Sequence, residues 1–342
     1  MDAIESPERA LRVLAVTNMW PTAERHDGNF VRDQVESVRA LGVEVDVEVI
    51  RCGRGSKDYL LAIPRVRRRI HAAQRVGRPY DLVHVHYGLT ALATRFVGGV
   101  PRVVSFYGSD INSPIERRLS RLGMGGGVAR TVYVSARLAG TVGDETGEVI
   151  PNGVDFDVFA PGDRAEQRRR MGIDAHERVV LFGGAPDHAV KGYDVFTDVL
   201  AALRARGLPV RELLLSAPNQ TTEQVVAKFD AADCLLFCSR YGTEGSPTVV
   251  KEATVMGLPV VSVDVGDVSE VLAPVTPSAV VPFPRPWGTA KSRAELVATL
   301  ADQTAKVLGE GARSDGRDRN SWLDLRLITR RVVSVYQDVV AG

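Results

Sequence analysis

The chain has 342 residues, 44% hydrophobic and 25% charged, with a formal net charge of +1. That length suffices for about two domains, and the composition is that of an ordinary globular protein. The balanced charge sets up no global field that would draw nucleic acid, and no apolar run reaches the ~18 residues that a bilayer span requires.

The amino terminus, MDAIESPERA, is acidic and polar and lacks a signal-peptide core. Leu11–Val16 then reads as a first strand. A loop, TNMWPTAERHDGNF, leads into a helix striped by Val31, Val35, Val38 and Leu41 and ended by Gly42. Gly28 and Asn29 stand at the start of that helix. A glycine there lets backbone approach a phosphate closely, with the following N–H groups aimed at it; a plain strand-to-helix turn is the other reading.

Val43–Ile50 is a second strand, and Val66, Ile70 and Ala73 mark a second helix. That helix contains RVRRRIHAAQR, residues 65–75, basic on one face and apolar on the other. It reads as a solvated amphipathic helix, or as a contact with an anionic membrane surface or a phosphorylated acceptor. Asp81–His86, Arg102–Phe106 and Thr131–Val134 follow as strands. His84 and His86 share one face of their strand, yet no third ligand completes a metal set. His86, nearer the carboxyl end, is the candidate site residue of the pair. In SFYGSD, Tyr107 and Asp110 flank Gly108. Asp110 either orients or deprotonates a sugar hydroxyl or caps the next turn. GMGGG, residues 123–127, follows no strand, which excludes a dinucleotide fingerprint and leaves a loop flanking the binding cleft.

The βα series restarts at Arg178–Phe182 and continues through Glu212–Ser216, Cys234–Cys238, Val260–Val263 and Ala279–Pro282. The alternation specifies two parallel sheets covered by helices, an α/β architecture of two tandem Rossmann-like domains with a deep cleft between them. The breaks place the domains at 1–163 and 164–315, with a helical segment at 316–342. Its stripe of Leu325, Ile328, Val332, Val335 and Val339 packs either on its own domain or back on the first. Cys234 and Cys238 lie in an apolar run and read as buried reduced thiols, which fits a cytoplasmic setting.

Two loops of the second domain carry the chemistry. Lys191, in GGAPDHAVKGYDVF, follows the domain's first strand and is placed to neutralise a diphosphate as a point charge. In EGSPTVVKEATVMGLPVV, Glu244 and Glu252 have seven residues between them. Ser246 is suited to the N-cap and Pro247 to the first helical position, so one acid enters a helix and the other rides its first turns. Carboxylates accept from hydroxyls while a helix amino end holds an anion, a pairing that suits a nucleotide sugar.

By these motifs nearly the whole chain resembles the GT-B fold retaining glycosyltransferases of family 4. GNFVRDQVESVRALGVEV, DLVHVHYG, VIPNGVDFDVF, VKGYDVF and AADCLLFCSRYGTEGSPTVVKEATVMGLPVVSVDVGDVSEVL carry the likeness, as does SWLDLRLITRRVVSVYQDVV at the end. The resemblance implies a terminal helix that crosses back to the N-terminal domain, an acceptor site in the first domain and a nucleotide-sugar donor site in the second. It implies that Glu252 accepts from ribose hydroxyls. Glu244, with Gly245, Ser246, Pro247 and Thr248, would touch the donor sugar, and Lys191 and Gly28 would hold the diphosphate.

The expected activity is metal-independent transfer of a sugar from a nucleotide-diphosphate sugar to an acceptor hydroxyl, with retention and with no cofactor beyond the donor substrate. A sugar-nucleotide epimerase and a catalytically weak nucleotide-sugar binding protein are the alternatives. Three departures stand out. The arginine that usually precedes the lysine is absent from APDHAV, leaving His188 or a distant arginine to substitute. Tyr107 replaces a histidine. The second domain is one βα unit short between Leu215 and Ala231.

Overall fold

The structure is a computed structural model that describes residues 9–22, 28–53, 55, 57–216 and 220–342. Residues 1–8, on which the reading of the amino terminus rests, and 23–27 of the first loop lie outside it. The chain forms two compact units, residues 1–152 with 326–342 and residues 153–325.

The first unit is a six-stranded parallel sheet in the order β2-β1-β3-β4-β5-β6. Its strands are β1 (Arg12–Thr17), β2 (Glu44–Val49), β3 (Leu82–His86), β4 (Arg102–Phe106), β5 (Val128–Tyr133) and β6 (Glu148–Val149). The helices, in chain order, are α1 (Asn29–Ala40), α2 (Lys57–Arg75), α3 (Ala91–Thr94), α4 (Ser109–Asn112), α5 (Pro114–Gly123) and α6 (Ala136–Val142). Every residue of β3 and β4 is buried. Both faces of these strands are covered, which is why they read as unbroken apolar runs rather than as alternating ones. One face packs under Tyr59, Ala62, Val66 and Ile70 of α2 and Leu138 of α6. The other packs under Val35 and Val38 of α1 and Ile328, Val332, Val335 and Tyr336 of the last helix.

The loop at 123–127 does something other than flank a ligand. Arg102 opens β4, and its guanidinium is fully buried. It donates to the carbonyls of Gly123 (3.0 Å), Gly125 and Gly126 (2.6 Å) and to Thr94 Oγ1 (3.1 Å). The glycine-rich turn therefore wraps a cation with its carbonyls, at the amino ends of the strands. Burial, with Arg95 nearby, pulls the Arg102 pKa down to about 10.

The second unit is a five-stranded parallel sheet in the order β11-β10-β9-β7-β8. Its strands are β7 (Arg178–Phe182), β8 (Val210–Leu214), β9 (Cys234–Phe237), β10 (Val260–Val263) and β11 (Ser278–Val281). Its helices are α7 (Arg164–Arg170), α8 (Tyr193–Ala205), α9 (Thr222–Ala231), α10 (Thr248–Val255), α11 (Val268–Leu272), α12 (Ala290–Glu310) and α13 (Gly316–Arg319). Between β8 and β9 the described residues hold α9 alone, in keeping with the short spacing there.

The units divide after Asn152, ahead of the 163/164 boundary read from the polar stretch at Pro161–Arg170. The reason is packing. Phe156 and Phe159 already lie against the second core, and Val154 bridges Asp324 in parallel. At the other end, α13 stays with the second unit: Arg317 donates to the carbonyls of Phe159 (2.7 Å) and Phe156 (2.9 Å). The last helix, α14 (Leu325–Ala341), gives residues 326–342 to the first unit. Its Tyr336 hydroxyl lies 2.6 Å from His84 Nδ1 in the interior of that unit.

Candidate functional site

In the second unit the strand order reverses between β7 and β9, because β8 lies on one side of β7 and β10 and β11 lie beyond β9. Ligands of open α/β sheets bind at that reversal, beyond the carboxyl ends of the strands. The loops that emerge there are the lysine loop after β7 and the loop 238–247 after β9.

The two loops are tied together. The N–H of Arg240 donates to the Val190 carbonyl at 2.8 Å. Gly192 sits at φ +70, and a Cβ there would stand 2.0 Å from the Cys238 oxygen, so only glycine allows this approach. Across the junction Lys191 Nζ donates to Glu244 Oε1 at 2.8 Å, and the same oxygen accepts from Ser239 Oγ at 2.7 Å. The lysine also rides over the Phe237 ring, 5.8 Å from its centroid. Lys191 and Glu244 side chains are 24% and 13% exposed, so the pair is shielded yet open to an incoming anion.

Helix α10 begins at Thr248, with Pro247 in an extended conformation at the N-cap position. The expected Ser246 cap is corrected by this geometry. The Ser246 hydroxyl donates to Asp267 Oδ2 at 2.7 Å and accepts from Lys251, and so is not available to the helix end. Gly245, Ser246 and Pro247 are buried, and Thr248 is half-buried. Along α10 only Thr248 and Glu252 escape full burial. They are four residues apart, so they share the single accessible stripe of the helix. Glu252 is therefore on the stripe that begins at the helix amino end. His188 is exposed on the lysine loop, and the Arg240 guanidinium pairs with Asp194 Oδ1 at 2.6 Å.

Sequence reasoning missed Ser239, Lys251 and Asp267. Lysine is almost never fully buried unless paired. The one available signal was the position of Lys251 among Val249, Val250, Ala253 and Thr254 in a helix flanked closely by two strands.

In the first unit the order reverses between β1 and β3. Gly28, at φ +94, sits against Met19, with a hypothetical Cβ 2.5 Å from the Met19 carbonyl carbon. It stands at the N-cap of α1 with no side-chain cap bond. Asn29 Oδ1 is buried without a partner. Phe30 packs on Tyr107, ring centroids 5.1 Å apart.

His86 is buried, with Nδ1 2.7 Å from the Tyr107 hydroxyl and Nε2 buried without a partner. Burial holds its pKa down at about 3, so the ring is neutral at physiological pH. His84 is spent on Tyr336 and on Ser105 Oγ at 2.8 Å, and its ring lies tilted against that of His86, centroids 3.9 Å apart. The pair is a hydrogen-bonded interior feature. Burial pushes the Tyr107 phenol up.

Asp110 takes the turn-organising course of its two readings. It is fully buried and accepts from the N–H groups of Gly88 (2.8 Å), Gly108 (2.8 Å) and Tyr107 (3.1 Å). It thereby fixes the loops after β3 and β4 to each other, with its oxygens turned onto backbone instead of outward. Burial raises its pKa to about 6 despite those bonds. Beside it, Tyr87 holds φ +79, a left-handed conformation unusual for a bulky residue, and its hydroxyl donates to Glu116 at 2.8 Å.

A topology of two parallel sheets, each with its loops at a strand-order reversal, is shared with solved glycosyltransferases of the GT-B class. Sucrose-phosphate synthase (tll1590) from Thermosynechococcus elongatus matches at a TM-score of 0.73 and 18% identity, over 97% of this chain and 100% of that one. Anabaena Alr3699/HepE, solved in complex with UDP and glucose, matches at 0.68 and 18%, over 96% and 100%. At such identities the likeness speaks for the fold. Residues 8–158 match the model of Glycosyltransferase Family 4, and residues 216–299 match that of Glycosyl transferases group 1. The D-inositol 3-phosphate glycosyltransferase of Segniliparus rotundus is 26% identical over 276 residues, 65% of this chain. The aligned stretch spans 59% of that relative's length. Together the two matched segments make the chain similar to the family 4 and group 1 glycosyltransferases.

The three cysteines are free, Cys52 exposed and Cys234 and Cys238 buried. Among the described residues no helix is long and apolar enough to cross a membrane.

Proposed function

We propose that the protein transfers a hexosyl group from a nucleoside-diphosphate sugar to an acceptor hydroxyl, with retention of anomeric configuration. The observation that carries this reading is the Lys191–Glu244 pair at the β7/β9 reversal, next to the amino end of α10. A diphosphate leaving group needs positive charge that is in place before the bond breaks. Lys191 supplies a point charge and the first N–H groups of α10 supply oriented dipoles. With that charge already provided by the protein, transfer proceeds without a metal and without a cofactor.

Glu252, on the accessible stripe of α10, accepts from the ribose hydroxyls. Glu244, backed by Ser239, faces the donor sugar. Its carboxylate is held by Lys191 and Ser239, which suits a hydrogen-bonding role better than covalent attack, so no glycosyl-enzyme forms. The loops after β1, β3 and β4, with Gly28, Asn29, Phe30 and Tyr107, serve the acceptor.

The basic helix α2 adds a further element. Leu60, Leu61 and Phe96 are each more than half exposed, as are Ile115 and Leu122 of α5. Arg67, Arg68, Arg95, Arg118 and Arg121 are exposed among them, and Arg67, Arg95 and Phe96 line one open groove. Apolar side chains set among arginines fit an anionic membrane surface. Arg65 and Arg69 are not part of this set, since both pair with Glu48.

The test is a panel of nucleotide sugars screened for thermal stabilisation, followed by transfer from the best binder to sugar, lipid and small-molecule acceptors. Transfer in EDTA with the α-anomer made from an α-linked donor supports the reading. Binding with inversion, a metal requirement or conversion of the donor alone contradicts it. Sedimentation with phosphatidylglycerol vesicles but not with phosphatidylcholine vesicles tests the membrane contact.

A further inference from the structure

A second polar centre lies beneath the donor loop. Lys251 is fully buried, its Nζ 3.0 Å from Asp267 Oδ2, and it donates to Ser246 Oγ. Ser246 closes the triangle by donating to the same Asp267 oxygen at 2.7 Å. Two observations argue against a purely stabilising role. Burying a lysine and an aspartate usually costs as much as their attraction returns, so apolar residues of similar volume would serve stability at least as well. Moreover, Asp267 Oδ1 is buried with no partner, whereas a pair held for stability alone would satisfy both oxygens.

What the triangle does is fix one loop against another. Gly266 packs so closely that a Cβ there would stand 2.8 Å from the Gly245 carbonyl oxygen and 3.1 Å from Pro247 Cδ. The segment from Glu244 to Thr248 is thus pinned from two sides. Lys191 and Ser239 hold its first residue, while Lys251 and Asp267 hold its third. The peptide groups between them set where Glu244 and the amino end of α10 stand.

We propose that Lys251, with Asp267 and Ser246, forms a positioning network that holds the Glu244–Thr248 loop in the conformation that binds the donor diphosphate. Lys251 acts through the loop and does not itself touch the ligand. The proposal rests on the reading of this loop as a nucleoside-diphosphate site.

The experiment measures melting temperature and the affinity for UDP, ADP and GDP, by calorimetry, for the wild type, Lys251→Met and Lys251→Met/Asp267→Leu. Lys251→Met strands a buried carboxylate and lowers the melting temperature sharply. The double variant removes both charges, returns the melting temperature to near the wild-type value, and still binds the preferred nucleotide at least tenfold more weakly. Affinity that recovers together with stability overturns the proposal. Should both variants fail to fold, Gly266→Ala keeps every charge and disturbs the loop through its contacts with Gly245 and Pro247 and its φ of +57. A loss of affinity of fivefold or more in the folded protein supports the network, and unchanged affinity overturns it. A wild-type protein that binds none of the three nucleotides removes the site reading itself, and the network's role with it. A wild type that binds, alongside a double variant that binds equally, removes the network's role alone.

Discussion

Removing the Lys191 charge and removing the Glu244 charge should move nucleotide affinity in different directions. The two side chains meet at 2.8 Å and are only 24% and 13% exposed. Two unit charges ~4 Å apart at an effective dielectric of about 20 interact by roughly 4 kcal/mol. A diphosphate must share Lys191 with Glu244, so the net gain is closer to one charge-assisted hydrogen bond, about 1.5–3 kcal/mol. Lys191→Met is therefore expected to weaken UDP, ADP or GDP binding about 10- to 150-fold. Glu244→Gln leaves the lysine without its anionic competitor. Affinity for the free nucleoside diphosphate then stays level or rises, while transfer falls because the sugar contact is damaged. Neither change should cost the fold more than about 1 kcal/mol, since the pair still reaches water. Isothermal titration calorimetry of both variants at two salt concentrations separates the cases, with the lysine-dependent part shrinking at the higher salt. Equal losses in the two variants would refute the reasoning, because they would mean the pair serves loop shape and not charge.

Glu252→Gln should weaken binding of nucleoside diphosphates by about 1.5–3 kcal/mol and spare inorganic pyrophosphate, as competition assays would show. Gly28→Ala places a Cβ 2.5 Å from the Met19 carbonyl carbon at φ +94, and should destabilise the first unit by about 1–3 kcal/mol through strain alone, read from chemical denaturation. The first unit should also respond to pH. Burial holds His86 at about 3 and His84 well below its ordinary value, so their stabilisation is complete above about 6.5 and is lost as pH falls. Asp110, raised to about 6, works the other way, its contribution being lost as pH rises through 6. Between about pH 6 and 4.5 the two histidines oppose one carboxyl, and unfolding free energy should fall on acidification. Denaturant midpoints that stay flat across that window would contradict the assignment.

The alternating apolar runs and helical stripes made the fold legible, because strands buried on both faces have little choice of composition. β4, β7 and β10 have the same bounds in the sequence reading and in the structure. The lysine loop and the acid pair were legible because both follow strands and carry charge beside glycine. What could not be read were contacts between distant residues. The bond from His84 to Tyr336 closes 252 residues of chain, and no local pattern announces it. Ser246 looked like a cap because its neighbours suit a helix start, yet its hydroxyl is taken by Lys251 from inside the fold. The glycines at 123–127 read as a loop flanking a cleft, but their carbonyls are claimed by Arg102, an arginine that a strand pattern treats as a boundary. Asp110 showed both of its roles in sequence, and only its complete burial decides for the backbone N–H groups.

The position of α14 bears on how the protein is made. One face of the first sheet, around Val13, Ala15, Val103 and Val132, is covered in part by residues near 328–336. During synthesis these are translated after the whole second unit. Until they leave the ribosome, the earlier half of the chain carries an open apolar stripe, the kind of surface that recruits chaperones or self-associates. Trimming the last turns of the chain should therefore harm solubility first, well before it touches the donor loops.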